Sequence, residues 1–274
     1  LPYENLCKVM DTPIREGYPY YEPNDFEEIM RLDAYLAEKN IYDSRTRAAR
    51  AIKEGCVKVN GRLITKTSYE VNEASDAVEC GEDPIPYVGR GALKLEYALE
   101  KYGLDVSGMN AVDIGASTGG FSEVLLRRNI ASVAAVDVGR GQLAEKIKSD
   151  KRVISYESTD IRNFSVGEGT YNLAVTDVSF ISVKIIIPHI CRLLKEDGFA
   201  VVPIKPQFEV GRRMLNKKGV VKDSKAAQKA VEDITLYMKQ NGFELIGVCE
   251  SPVKGGDGNT EFICVSRRTK QIDV

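Results

Sequence analysis

The chain has 274 residues, 43% hydrophobic and 28% charged, with a formal net charge of −2, a composition that excludes a disordered chain and fits a medium domain joined to a small one. No apolar run approaches the roughly 18 residues of a membrane span, and no basic-then-apolar leader is present, so a cytoplasmic protein that does not enter membranes is expected. Six cysteines without a CxxC pair and a single histidine argue against a metal site and for reduced thiols, and they leave proton chemistry to Lys, Asp, Glu or Tyr.

Residues 1–29 carry two basic and seven acidic side chains and no regular period. They are either a flexible tail or an extension ahead of a natural start at Met30, and no role is assigned to them. Residues 30–66 reverse the balance, with nine basic groups against four acidic, and residues 67–83 hold six acidic groups and no basic one. The whole-chain charge conceals this basic block, the feature that matters to a polyanion.

Residues 30–83 read as one compact unit. MRLDAYLAEKN places Leu32, Tyr35, Leu36 and Lys39 at helical spacing. Asp43 or Ser44 is expected to cap a second helix that ends at Gly55. In VKVNGRLI, Asn60-Gly61 between alternating apolar residues predicts a hairpin, with a further strand near Asp76–Glu79. Residues Arg31-Leu32-Asp33, Leu36, Ser44-Arg45, Arg47, Ala48, Ile52, Gly55, Val57, Val59 and Asn60-Gly61 resemble the S4 RNA-binding domain. Arg45, Arg47, Arg50 and Lys53 on the short helix, with Lys58, Arg62 and Lys66 on the hairpin, suit contacts to the phosphates of folded RNA.

Residues 84–93 read as a linker, and 94–268 as an α/β domain followed by a tail, 269–274. Strands are expected in NAVDIG, SVAAVDVG, VISYES, YNLAVTDV, FAVVPIK, FELIGVCESP and TEFICVSRR. Helices are expected in GGFSEVLLRRN, QLAEKIKSD, SVKIIIPHICRLLKED and SKAAQKAVEDITLYMKQNG, with His189 on the flank of the third. The alternation implies a Rossmann-like parallel sheet covered on both faces. The short connection between the last two strands makes the seventh antiparallel, the methyltransferase variant of the fold.

Asp113-Ile114-Gly115-Ala116-Ser117-Thr118-Gly119-Gly120-Phe121 follows a strand and opens a helix. Ser117 stands where a dinucleotide fingerprint needs glycine, and D-x-G-x-x-x-G resembles motif I of S-adenosylmethionine-dependent methyltransferases. That resemblance implies that the loop from Gly115 to Phe121 wraps the methionine part, with Asp113 near its amino group. Asp137, 24 residues after Asp113 at the end of the second strand, would take the ribose hydroxyls, and Asp160 the adenine amino group.

Five segments carry a closer resemblance: Tyr87 to Leu95, Asp113 to Phe121, Asp177 to Ser182, Ile204 to Glu209 and Gly255 to Glu261. They resemble the TlyA family, hemolysin-named proteins similar to FtsJ-type ribosomal RNA 2′-O-methyltransferases; Gly89-Arg90-Gly91-Ala92 departs slightly from the family's usual Ser-Arg-Gly-Gly. The resemblance implies a catalytic set of Lys94, Asp177, Lys205 and Glu261, with S-adenosylmethionine as cofactor and ribosomal RNA or ribosomal subunits as partner. Lys205 is the choice for the base, since a buried lysine beside another cation can lose its proton more readily. Arg212 and Arg213, in a basic loop with Lys217, Lys218 and Lys222, are expected to clamp RNA. The alternatives are a non-enzymatic RNA-binding assembly factor and, with less support, a membrane-acting hemolysin.

Overall fold

The computed structural model describes residues 29–42, 44–81, 85–165 and 169–269, in two units that divide between residues 84 and 85. The leader through residue 28, the alternative cap Asp43 and tail residues 270–274 lie outside the described residues.

The first unit runs β1 (Ile29–Arg31), α1 (Leu32–Glu38), α2 (Arg45–Lys53), β2 (Val57–Val59), β3 (Arg62–Leu63), β4 (Glu70–Asn72) and β5 (Val78–Cys80). Leu32 and Leu36, one turn apart on α1, pack with Ala48, Ala51 and Ile52 of α2 over Val57 and Val59 of β2. Ser44 caps α2, its hydroxyl accepting from the Arg47 amide at 3.3 Å. The hairpin turn puts Asn60 and Gly61 at φ of +51° and +73°, as a tight two-residue connection requires. Two expectations need correction. Met30 belongs to β1, which pairs antiparallel with β4, because the chain is still extended at Arg31, the residue before α1. The last strand starts at Val78, since Asp76 turns its carboxylate to the Asn60 side chain and the Asn72 amide, at 2.7 and 2.9 Å.

The second unit runs α3 (Ala92–Lys101), β6 (Asn110–Ile114), α4 (Gly120–Arg127), β7 (Ser132–Val136), α5 (Glu145–Lys148), β8 (Val153–Tyr156), β9 (Tyr171–Thr176), α6 (Ile187–Leu193), β10 (Leu194–Ile204), α7 (Pro206–Glu209), α8 (Ser224–Gln240), β11 (Phe243–Glu250) and β12 (Phe262–Arg268). Its seven strands lie in the order β11-β12-β10-β9-β6-β7-β8. Only β12 runs against the rest, antiparallel to both of its neighbours, as the short β11–β12 connection demands. One face is covered by α6 and α8 through Ile187, Ile190, Ile234 and Met238, the other by α3 and α4 through Leu95, Leu99, Val124 and Leu125. From β6 the chain steps outward to β7 and β8, then returns to β9 on the other side of β6. The loops after β6 and β9 therefore diverge, and a cleft opens at that switch point.

Residues 85–91, expected as part of a linker, pack instead with the second unit: Ile85 and Tyr87 are buried in its core, and the Val88 amide donates to Glu123 on α4 at 2.6 Å. The helix expected from 182 to 197 is a single 3₁₀ turn, Val183–Ile185, followed by α6, and the chain enters β10 at Leu194. Pro188 lies in the first turn of α6, where its missing N–H costs nothing. The helix expected in QLAEKIKSD shrinks to the four residues of α5.

Candidate active site

The cleft holds a volume of about 790 Å³. The loop after β6 bends through φ of +78° at Gly115, +48° at Ser117 and +91° at Gly119. Gly115, Ala116, Ser117, Gly120 and Phe121 line the cleft. Gly119 backs onto Leu143 and Ile147, where a Cβ would fall 2.8 Å from a Leu143 methyl, and its left-handed φ adds a second reason for glycine.

The three acidic residues expected at strand ends all line this cleft, in different states. Asp113 is buried; Oδ2 accepts from the Ser122 amide and hydroxyl at 3.0 and 2.7 Å, while Oδ1 has no hydrogen-bond partner. Burial pushes its carboxyl up to about 7, against the pull of the Ser122 bonds, and the charges of Asp177 and Asp137 add to the rise. Asp137 stiffens the loop, taking the Ser117 amide at 2.8 Å and the Gly139 amide at 2.7 Å. Asp160 is gripped by the Arg162 guanidinium, with a closest contact of 2.6 Å, and by the Arg162 amide, which together hold its carboxyl down at about 2. The sequence reading missed Arg162, although Asp-Ile-Arg is the local signature of that pair. His189 is half-buried on α6 and is not among the cleft-lining residues.

Lys94 on α3, Asp177 after β9, Lys205 after β10 and Glu261 before β12 come together in one chain of contacts. Asp177 Oδ1 lies 3.1 Å from Lys94 Nζ and 2.8 Å from Lys205 Nζ. On its other side Lys94 meets Glu261 Oε2 at 2.7 Å. Lys205 also reaches the Ser179 hydroxyl at 2.9 Å and the Asp177 carbonyl at 3.3 Å. Lys94, Lys205 and Glu261 are buried, and of the four only Asp177 and Lys205 line the cleft. Burial opposes the charge on Lys94, but Asp177 and Glu261 more than offset it and hold its ammonium above the ordinary lysine range. Burial likewise opposes ionisation of Asp177, and the two lysines overcome it and keep its carboxyl below the usual range.

Sequence reasoning missed several supports of this cluster. A Cβ on Gly91 would fall 2.9 Å from Asp177 Oδ2, and one on Gly255 2.6 Å from Glu261 Oε1; these glycines let backbone approach the carboxylates. Gln207 Nε2 donates to Glu261 at 3.4 Å. Phe180 is 91% exposed at the cleft rim with φ of +64°, its ring 5.3 Å from that of Phe208. Arg90, another lining residue, donates to the Lys254 carbonyl at 3.2 Å.

Arg212 and Arg213 are exposed, as expected, together with Lys217, Lys218 and Lys222. The loop that carries them closes through a bridge between Leu215 and Val221. Buried Asn259 pins it by accepting from the Val221 amide and donating to the Gly219 carbonyl, both at 3.0 Å.

In the first unit, Arg45, Lys53, Lys58 and Arg62 are exposed and Arg47 and Arg50 are partly buried. Arg45 also lies 3.3 Å from buried Asp33, which takes Arg31 at 2.8 Å as well. It therefore closes the start of α2 onto α1 as well as facing solvent.

Comparison with known proteins agrees with both units. Residues 87–268 match the model of the FtsJ-like methyltransferases and residues 30–78 that of the S4 domain. The chain is 37% identical over 235 residues to the 16S/23S rRNA (cytidine-2′-O)-methyltransferase TlyA of Mycobacterium tuberculosis, covering 85% of this chain and 87% of that protein. It is equally identical over 237 residues to Hemolysin A of Brachyspira hyodysenteriae, covering 98% of that protein. A solved structure described as a candidate hemolysin from Streptococcus thermophilus aligns with a TM-score of 0.69 and 35% identity, over 89% of this chain and 90% of that one.

Proposed function

The chain belongs to the family of FtsJ-like methyltransferases, and on that premise we propose that it transfers the methyl group of S-adenosylmethionine to a ribose 2′-hydroxyl of ribosomal RNA. The observation that carries this reading is the unequal holding of the two buried lysines. Lys94 sits between two carboxylates, Asp177 and Glu261, and stays charged. Lys205 has one carboxylate and a hydroxyl for company and lines the cleft. A 2′-hydroxyl must lose its proton to attack, and the neutral amine of Lys205 is the group suited to take it. Asp177 orients that amine, while Lys94 and Glu261 fix Asp177 and balance its charge.

The cleft fits the cofactor. Asp113 Oδ1 is buried, faces no protein donor and would accept from an ammonium group. The loop from Gly115 to Phe121 leaves backbone open to a ligand, and Asp137 and Asp160 offer lone pairs at the ends of successive strands. Bound there, S-adenosylmethionine supplies a methyl group made electrophilic by its sulfonium charge. Arg162 would have to share Asp160 with the adenine, so it is assigned to the rim of that subsite. Phe180 offers an exposed ring to the substrate side of the cleft, where base stacking is worth roughly 1–3 kcal/mol.

Among RNA-facing residues, Arg47, Arg50, Lys53, Lys58 and Arg62 of the first unit, with Arg45, would hold folded RNA by its phosphates, and Arg212 and Arg213 would hold backbone near the cleft. The M. tuberculosis relative's name specifies ribosomal RNA and a cytidine 2′-oxygen, and the same substrate class is proposed here, as free RNA or within a ribosomal subunit in the cytoplasm. Among the described residues no helix is long and apolar enough to cross a membrane. Mapping ribose methyls across ribosomal RNA from cells with and without the gene tests the proposal. Loss of methylation at one or a few positions is expected; identical maps would contradict it.

A further inference from the structure

Each direction in which Lys205 can donate is occupied. Its Nζ lies 2.8 Å from Asp177 Oδ1, 3.3 Å from the Asp177 carbonyl and 2.9 Å from Ser179 Oγ. An ammonium has three N–H groups and no lone pair, so the charged form uses all three partners. Once a proton has left, the amine keeps two N–H groups and gains a lone pair. A carboxylate and a carbonyl only accept, so they retain the two N–H groups. A hydroxyl both accepts and donates, and Ser179 is the one partner of the three that can reverse. The lone pair is thereby directed to the Ser179 side. Ser179 is also exposed and lines the cleft, whereas Lys205 is only 7% exposed.

We propose that Ser179 is a positioning residue for the base: its hydroxyl aims the Lys205 lone pair into the cleft and returns the captured proton to solvent. In the charged state Ser179 accepts from Nζ; in the neutral state it turns and donates to the lone pair until the 2′-hydroxyl displaces it. On capture, the O–H bond of the ribose breaks and an N–H bond forms on Lys205. For reset, an Nζ proton passes to Ser179 Oγ while the original Ser179 hydroxyl proton passes to water in the cleft, so each group ends as it began. The charged groups around Lys205 are Asp177 after β9, Lys94 on α3 across that carboxylate, Glu261 before β12 beyond Lys94, and Asp113 in β6. None of these can, as a hydroxyl can, both accept from Nζ and donate in turn to its lone pair. The inference rests on the reading of Lys205 as base.

The test uses the full-length protein and its Ser179→Ala and Ser179→Thr variants. Lysine labelled with ¹³C at the ε-carbon reports the Lys205 titration in the absence of RNA, with the resonance assigned by its loss in Lys205→Arg. Single-turnover methyl transfer to ribosomal RNA is followed over the same pH series. Hydrogen bonds to a charged donor are stronger than those to a neutral one, so removing the hydroxyl should lower the Lys205 titration midpoint by about half to one pH unit. The plateau transfer rate should fall by about tenfold, the rising limb should move to lower pH with it, and Ser179→Thr should restore both. A purely structural role would lower the rate without moving the midpoint. An unmoved midpoint in Ser179→Ala, or equal impairment of the Ala and Thr variants, would overturn the proposal. A wild-type protein that transfers no methyl to RNA would instead remove the reading of the site, and the NMR comparison would still decide whether Ser179 governs the proton on Lys205.

Discussion

Lys94 and Lys205 share a single carboxylate oxygen: Asp177 Oδ1 lies 3.1 Å from one ammonium nitrogen and 2.8 Å from the other. The two buried lysines meet at this one shared charge. Replacing Asp177 with Asn keeps the shape and removes that charge, leaving Lys94 with Glu261 and Lys205 with no carboxylate. Breaking a buried ion pair by removing one partner costs about 3–5 kcal/mol, so urea denaturation should find Asp177→Asn less stable by an amount of that order. Methyl transfer should fall by about 10²-fold or more.

Asp113 predicts a pH dependence of stability. Its carboxyl stands at about 7 in the folded chain against an ordinary value of 3.8. The folded state then binds more protons than the unfolded state between these values, so this group's contribution is fully present below about pH 4 and is lost as pH rises through about 7. Asp113→Asn removes the titration. Denaturant melts at pH 5 and pH 8 should show the variant gaining stability relative to wild type at the higher pH.

Cofactor affinity tests the same residue from the other side. If the unpartnered Oδ1 receives the ammonium of S-adenosylmethionine, binding favours the ionised carboxylate. Calorimetric affinity should then rise with pH up to about 7, approaching tenfold per unit well below that point, and the dependence should vanish in Asp113→Asn. Equal, pH-independent affinity in both proteins would remove Asp113 from the cofactor site.

Gly91→Ala tests the placing of the Asp177 carboxylate. The backbone at Gly91 has an ordinary helical φ of −55°, so alanine is not strained there. Its Cβ would fall 2.9 Å from Asp177 Oδ2, a contact relieved by turning the carboxylate away from Lys94 and Lys205. Thermal stability should fall, but by less than in Asp177→Asn because the negative charge stays beside the lysines, and activity should fall by about tenfold or more, read by thermal melts alongside a transfer assay.

RNA binding divides the basic residues. Removing Lys53 and Lys58 together should weaken RNA affinity and flatten the plot of log affinity against log salt by about one to two units, with cofactor affinity unchanged. Arg45→Ala should also lower stability, because Arg45 helps neutralise buried Asp33. A wild-type salt slope in the double mutant would show that this face does not carry the RNA.

The sheet was legible because its strands are apolar runs bounded by Asp or Gly, and β12 could be reversed on connection length alone. The candidate catalytic side chains came through the family resemblance, and the structure places the four in one chain of contacts. Three-residue strands such as β1 and β4 have too few positions to display a period, so Met30 was absorbed into the following helix. The apolar stretch from 182 to 193 matches a helical pattern, but the chain must turn at Ile186 and reach β10 by Leu194, and tertiary pairing decided that boundary. Gly91, Gly255 and Ser179 were invisible as site residues because their roles depend on what approaches them from distant parts of the chain. Asp160 was read as open to a ligand, although Arg162, two residues on, was in plain view.

Single-turnover methyl transfer by wild type and Lys205→Arg, followed over a pH series, tests the central claim most directly. Arginine keeps the positive charge but stays protonated, so it cannot accept the ribose proton. The wild-type rate should rise with pH to a plateau, and the variant should bind cofactor and RNA nearly as well yet fall by about 10²-fold or more at the chemical step. A Lys205→Arg rate within a few-fold of wild type, with the same pH profile, would contradict the assignment of Lys205 as the base.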